Sequence, residues 1–199
     1  MKTERPRNRW KATRNIRREA RQEEILKVAT LTMNELGYSR ASMAEIARRL
    51  GLTYNALYHY FDSKEEILSA CFLRGSRLLR ARIDAAVQTE GSGLERLLCF
   101  VDEFMALVEE EVLPASNLIL NLSPRYLEDF AKRSEADQAT LAGIVASGIE
   151  DGSIARCDPM LAVSFTLSGL INFPFYRYEA PDTIKDGVIA FFERAHARR

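Results

Sequence analysis

The chain is poor in the residues that most metal and redox chemistry requires. It has three cysteines and two histidines among 199 residues. Cys71, Cys99 and Cys157 form no C-x-x-C pair, and His59 and His196 are their only histidine company, so no zinc site follows. Reduced thiols are the expected state. No nucleophile–base pair, G-x-S-x-G turn, phosphate loop or metal cluster occurs, which leaves no catalytic residue, cofactor or metal to assign and weighs against an enzyme. Long apolar runs are lacking too. The stretch at 160–173 (MLAVSFTLSGLINF) is shorter than the ~20 residues that span a bilayer and is interrupted by Ser164, Thr166, Ser168 and Asn172. A secretory h-region is missing as well. These absences point to a cytoplasmic protein without a membrane partner.

Net charge is also missing overall, but its distribution is uneven. Residues 1–21 carry nine basic side chains against Glu4 and Glu19, a net +7, so residues 22–199 carry −7. A basic segment on an acidic body suits an electrostatic grip on DNA, and it also suits a solubilising tail. Residues 1–20 are expected to be a flexible arm.

What is present is helical punctuation. Residues 42–68 (SMAEIARRLGLTYNALYHYFDSKEEIL) read as a short helix, a glycine turn, a second short helix and the capped start of a third. Ser42 with Glu45, and Ser63 with Glu66, match the S-x-x-E capping box, in which each partner satisfies a free backbone N–H. Met43, Ile46, Ala47 and Leu50 make one apolar stripe, Gly51 ends it, and Thr53 can cap the next helix. Leu57 and Phe61 supply that helix's buried side. Such a short connection makes the helices cross steeply and presents the second to a major groove. Tyr54, Asn55, Ala56, Tyr58 and His59 lie on its outer side. Asn pairs bidentately with adenine, whereas tyrosine hydroxyls and Lys64 suit phosphate oxygens.

These residues resemble the DNA-binding domain of the TetR family of bacterial transcription regulators. The matching pieces are IL-x-x-A at 25–29, Gly37-Tyr38, M-x-x-I-A at 43–47 and GLTYNALYHYFDSK at 51–64. The resemblance implies that the helix from Thr53 to Phe61 is the recognition helix, that Tyr58 and Lys64 contact the DNA backbone, and that Ser42 faces phosphate. Ala41 stands where a threonine is usual in the family, and Asn55 where a small residue is usual.

The rest of the chain continues as helices, with no strand pattern. Gly37 ends a first helix expected from about Arg21 to Leu36. Arg74, Arg77 and Arg80 form a basic ribbon, read either as a solvated face with ion pairs or as extra field near DNA. The break at 90–93 precedes a clean apolar stripe (Leu94, Leu97, Leu98, Val101, Phe104, Met105, Val108). The 160–173 run, apolar nearly all round, reads as a helix buried on both sides. With the last helix it suggests a dimer seam through Leu167, Leu170, Ile171, Phe173, Val188 and Phe192. Phe72, Phe100, Phe104, Asn117, Tyr126 and Phe165 are candidate walls of a pocket for a largely apolar effector. Residues 173–178 faintly resemble a segment in regulators of lipid and acyl-thioester catabolism.

The expected protein is therefore all-α. It has an arm at 1–20, a three-helix helix-turn-helix domain at 21–68, and a helical effector-binding and dimerisation domain at 69–199. The expected function is a regulator, by the family's usual mode a repressor, that binds a palindromic operator on double-stranded DNA as a homodimer and is released by a small molecule. The alternative is a ligand-independent architectural DNA binder.

Overall fold

The computed structural model describes residues 6–110, 113–172 and 181–196, with side chains at 15–109, 113–172 and 186–196. The regular elements among the described residues are helices: α1 (Pro6–Arg40), α2 (Met43–Arg49), α3 (Tyr54–Tyr58), α4 (Lys64–Gln88), α5 (Gly93–Glu110), a 3₁₀ turn (Ser116–Asn121), α6 (Pro124–Asp151), α7 (Pro159–Asn172) and α8 (Pro181–His196). No helix among them is long and apolar enough to cross a membrane.

The chain divides into two units. The first comprises Met1–Arg74 with Val112–Leu122, the second Gly75–Glu111 with Ser123–Arg199. The chain thus returns to the first unit after α5, an excursion that no local pattern in the sequence announces.

The first helix begins earlier than the sequence suggests. Residues 6–20, expected as part of an arm, continue α1. Pro6 is pre-organised for a first helical position, and the Arg, Lys, Ala and Glu that follow are good helix formers with no glycine among them. The helix breaks at Gly37, whose φ of 75° and ψ of 158° are open essentially to glycine alone. Ile25, Ala29 and Met33 of α1 are fully buried. Thr30 and Thr32 are buried too, and each donates its hydroxyl back to a carbonyl one turn earlier, those of Leu26 (2.8 Å) and Val28 (2.7 Å).

Asn34 of α1 clamps the returning segment. Its amide donates to the Leu113 carbonyl (2.8 Å) and accepts from the Ala115 N–H (2.9 Å). Leu118 and Leu122 of that segment are buried. Arg74, read from sequence as one rung of a basic ribbon, is only 2% exposed and ion-pairs with Glu23. The ribbon is therefore no single solvated face.

The second unit has its own core. Ile83 and Ala86 of α4, Leu97, Phe100, Val101, Phe104 and Met105 of α5, Leu141, Ile144 and Val145 of α6, and residues of α7 and α8 form one buried cluster. Beside it α5 and α6 approach closely, where a Cβ on Gly93 would lie 2.2 Å from the Gly148 nitrogen. The free N–H groups at the start of α5 find partners across this contact: Gly93 donates to Asp151 Oδ2 (2.8 Å) and Leu94 to Ser153 Oγ (3.1 Å). A complete capping box also forms there, with Ser92 N–H on Glu95 Oε2 (2.7 Å) and Glu95 N–H on Ser92 Oγ (3.3 Å).

Candidate nucleic-acid interface

The first unit builds a helix-turn-helix from the residues that sequence reasoning chose. Ser42 Oγ accepts the Glu45 N–H (3.1 Å) and starts α2; Met43, Ile46 and Ala47 turn inward. Gly51, at φ 64°, makes the turn. Thr53 Oγ1 accepts the Ala56 N–H (3.2 Å) and starts α3. Leu57, fully buried, and Phe61, at 6% exposure, anchor α3.

The capping boxes form only in part. The Ser42 N–H donates to the Arg40 carbonyl (2.9 Å) instead of reaching Glu45. Glu45 turns to Arg48 (2.7 and 2.8 Å) and Arg49 (2.9 Å), and Arg49 also donates to Glu35 (2.6 Å). Two guanidinium partners outbid one neutral N–H, because charge-assisted bonds are the stronger. The Arg48 hydrogen bonds first, then those from Arg49, hold the Glu45 carboxyl down at about 2. Sequence reasoning passed over this cluster, although the spacing of Glu45, Arg48 and Arg49 on one helix is legible. At the start of α4, Glu66 N–H does meet Ser63 Oγ (3.0 Å), but the Glu66 carboxylate accepts from Asp62 N–H (2.6 Å), one residue earlier than expected.

Of the residues assigned to DNA, Ser42, Thr53, Tyr54, Asn55, Tyr58 and His59 are exposed, and Ala56 is half-buried. Tyr54 and Tyr58 face each other on α3, with ring centroids 4.7 Å apart. Lys64 is held inward: Nζ donates to the Tyr38 carbonyl (2.7 Å) and lies 3.9 Å from the centre of the Tyr38 ring. Desolvation lowers the Lys64 ammonium from its ordinary value and, with help from Glu65, raises the Tyr38 phenol.

Residues 25–71 match the family model of the bacterial regulatory proteins of the tetR family. The fold agrees beyond that segment. A transcriptional regulator of the TetR/AcrR family from Thermobifida fusca superposes with a TM-score of 0.65 and 26% identity, covering 90% of this chain and 100% of that one. Residues 25–71 are a DNA-binding domain of the tetR type, and the whole chain is similar to regulators of that family. It is a DNA-binding transcription regulator, not an enzyme. The fatty acid metabolism regulator protein of Bacillus subtilis is 25% identical over 134 residues, 66% of this chain and 69% of that protein. The transcriptional repressor KstR2 of Mycolicibacterium smegmatis is 26% identical over 138 residues, 67% of each chain, whereas BetI of Cronobacter sakazakii and FasR of Mycolicibacterium smegmatis are matched over less than half of their own length. AibR, solved with isovaleryl coenzyme A and operator DNA, shares the fold with a TM-score of 0.73 at 23% identity, over 86% of this chain and 97% of that one.

The remaining assignments are distributed unevenly. Phe100 and Phe104, with centroids 6.3 Å apart, are packed into its core. Tyr126 is half-buried on α6, whereas Phe165 on α7 is 72% exposed. Phe72 and Asn117 belong to the first unit. The structure thus divides the six candidate effector residues between the units.

The expected seam residues divide between the protomer's own core and its surface. Leu167, Leu170 and Phe192 pack into their own unit's core, with Val188 against it. Ile171 is exposed, and Phe173 lies outside the described residues, as does the rest of the 173–178 run. The outward apolar residues of α7 are instead Met160, Leu161, Phe165 and Ile171, with Phe191 on α8. A helix that is apolar nearly all round gives no periodicity from which to choose its inner side, which is why the sequence could not assign one.

Proposed function

We propose that this regulator binds a palindromic operator as a homodimer, represses from it, and is released by a small-molecule effector. The observation that carries the reading is the pair of capped helices around Gly51, with Leu57 buried beneath α3 and the polar side chains of α3 outward. Asn55 reads a base edge. Ser42, Thr53, Tyr54, Tyr58 and Lys64 hold phosphates, and Ala56 and His59 border the groove. Residues 21–68 bind DNA, and residues 69–199 bind the effector and dimerise, apart from the strip Val112–Leu122 that packs with the first unit. Leu161, Phe165 and Ile171 of α7, with Phe191 of α8, offer the apolar surface for the partner copy. Pairing would place two recognition helices about one DNA turn apart, ~34–36 Å.

The effector is largely apolar and enters the second unit near Phe100 and Phe104. Those rings are tightly packed, so entry requires helices to part, and a molecule that binds only the parted arrangement shifts the balance by its differential affinity. Two relatives support this class: the Bacillus subtilis protein is named for fatty acid metabolism, and AibR carries an acyl thioester alongside its operator. The site of action is the cytoplasm.

A second reading, a ligand-independent architectural DNA binder, is favoured by the basic composition of residues 1–21. Selection of bound sequences from a random duplex pool tests both. A palindrome with half-sites about one turn apart supports the operator reading. Binding that is indifferent to sequence and steeply salt-dependent would replace it with the second.

A further inference from the structure

The second unit contains a cavity of about 380 Å³ between α4 and α6, within the size range of small-molecule sites. Its walls carry Arg77, Arg80 and Asp84 from α4, and Arg133 and Asp137 from α6. Arg80 holds the centre: its guanidinium meets Asp84 (2.9 Å), Asp137 (3.3 Å) and the Thr140 hydroxyl (3.1 Å). Asp137 is 7% exposed, an unusual place for a carboxylate on a helix of a small protein. Burial raises its carboxyl above the ordinary range even though Arg80 pulls it down, so the floor of the cavity is a weakly screened environment.

The charges do not balance. Both carboxylates share Arg80, while Arg77 and Arg133, one helical turn before Arg80 and Asp137 respectively, have no ion pair or hydrogen bond among the described residues. Three guanidinium groups thus face two carboxylates in one concavity, a surplus of one positive charge, and although Arg133 feels the field of Asp137, neither it nor Arg77 is bonded to either acid. A cation would compete with Arg80 for its acids. An anion would find two unengaged planar donor forks, the geometry that takes carboxylate or phosphate bidentately.

We infer that the α4–α6 cavity is a binding site for the anionic group of a small molecule, a carboxylate or a phosphate, gripped by Arg77 and Arg133 over a floor that Arg80 fixes. This deepens the effector reading, giving that largely apolar molecule a charged end, and it rests on that reading only for the consequence at DNA. Arg80 is the positioning residue: by engaging both acids it leaves the other two arginines for the ligand.

The test uses the full chain without DNA. Its melting temperature is followed while sodium butanoate or sodium phosphate is titrated at constant ionic strength set with sodium chloride. A saturable rise with either anion is expected, and the arm that responds identifies the head group. Arg77→Ala/Arg133→Ala should abolish the rise, and Arg77→Lys/Arg133→Lys, which keeps the charge but loses the fork, should weaken the anion by about tenfold. Arg156→Ala, at an exposed position of the same unit, should leave the rise intact. No saturable rise with either anion, or an equal rise in the double alanine variant, overturns the site. Operator affinity is then measured with and without the responding anion. Lowered affinity supports the anion as part of the effector, and unchanged affinity overturns the effector role while the site itself stands.

Discussion

The hydroxyls of Tyr54 and Tyr58 lie 2.9 Å apart on α3, so the two side chains act as one polar ridge on the helix assigned to the groove. One hydroxyl proton is committed within the pair. The remaining proton and lone pairs are what the ridge can offer to DNA.

Tyr54→Phe and Tyr58→Phe should each weaken binding by about 1 kcal/mol, on every operator variant alike, since they remove a hydrogen bond and no base reading. Asn55→Ala should instead change preference by about 1–3 kcal/mol at one base pair and little elsewhere. Fluorescence anisotropy across a panel of single-base operator variants separates the two. Unchanged preference in Asn55→Ala would remove that residue from base recognition.

Lys64 is held by Tyr38, which makes two roles separable. Lys64→Ala should lower thermal stability, because a cation–π contact contributes about 0.5–2 kcal/mol, and should also reduce the slope of log K against log salt by about 1. Tyr38→Leu should lower stability and leave the salt slope alone. A Lys64→Ala slope identical to the parent's would make Lys64 a purely structural residue.

The clamp of Glu45 on Arg48 and Arg49 should survive deep acid. Its carboxyl sits at about 2 in the folded chain against an ordinary 4.5. A depressed folded value means the contribution is fully present above about pH 4.5 and lost as pH falls through about 2. Carbon-detected NMR titration of the Glu45 carboxyl should give a midpoint near 2, rising toward the ordinary value in Arg48→Ala/Arg49→Ala.

Three glycine-to-alanine changes should behave differently. At Gly37 a Cβ meets nothing, so the cost is backbone strain alone, about 1–3 kcal/mol. At Gly93 it would strike the Gly148 backbone, and α5 must move from α6, at about 3 kcal/mol or more. At Gly143, exposed inside α6 with open space, alanine should stabilise by about 0.5–1 kcal/mol. Chemical denaturation ranks them.

The two sides of α7 predict opposite phenotypes. Phe165→Glu should leave the helical content intact and give monomers in sedimentation. Leu170→Ala, at a position 1% exposed, should cost about 2–5 kcal/mol of protomer stability. A dimeric Phe165→Glu protein would move the pairing surface away from α7.

The sequence made the DNA-binding head legible because its signals are local: a cap at Ser42, a stripe through Met43 and Ile46, a turn at Gly51, a cap at Thr53. What it concealed depended on competition or distance. The box at Ser42 opened because Arg48 and Arg49 claimed Glu45, a choice that pattern alone does not rank. The inward side of α7 could not be read from a helix without a polar stripe. Arg74 looked like a surface charge until Glu23, far away in the chain, was found beside it. Phe165 and Phe100 were chosen by one criterion, aromaticity, yet one faces outward and the other is fully buried.

The amide of Asn34 has a practical consequence for dissecting the molecule. Because it fastens residues 113 and 115, and because Leu118 and Leu122 are buried with them, the head is not a contiguous stretch of gene. A fragment cut after Arg74, or that fragment transplanted onto a foreign body, would bare a flank of α1 to water. Swapping heads between such regulators would require carrying the second strip of chain along with the first.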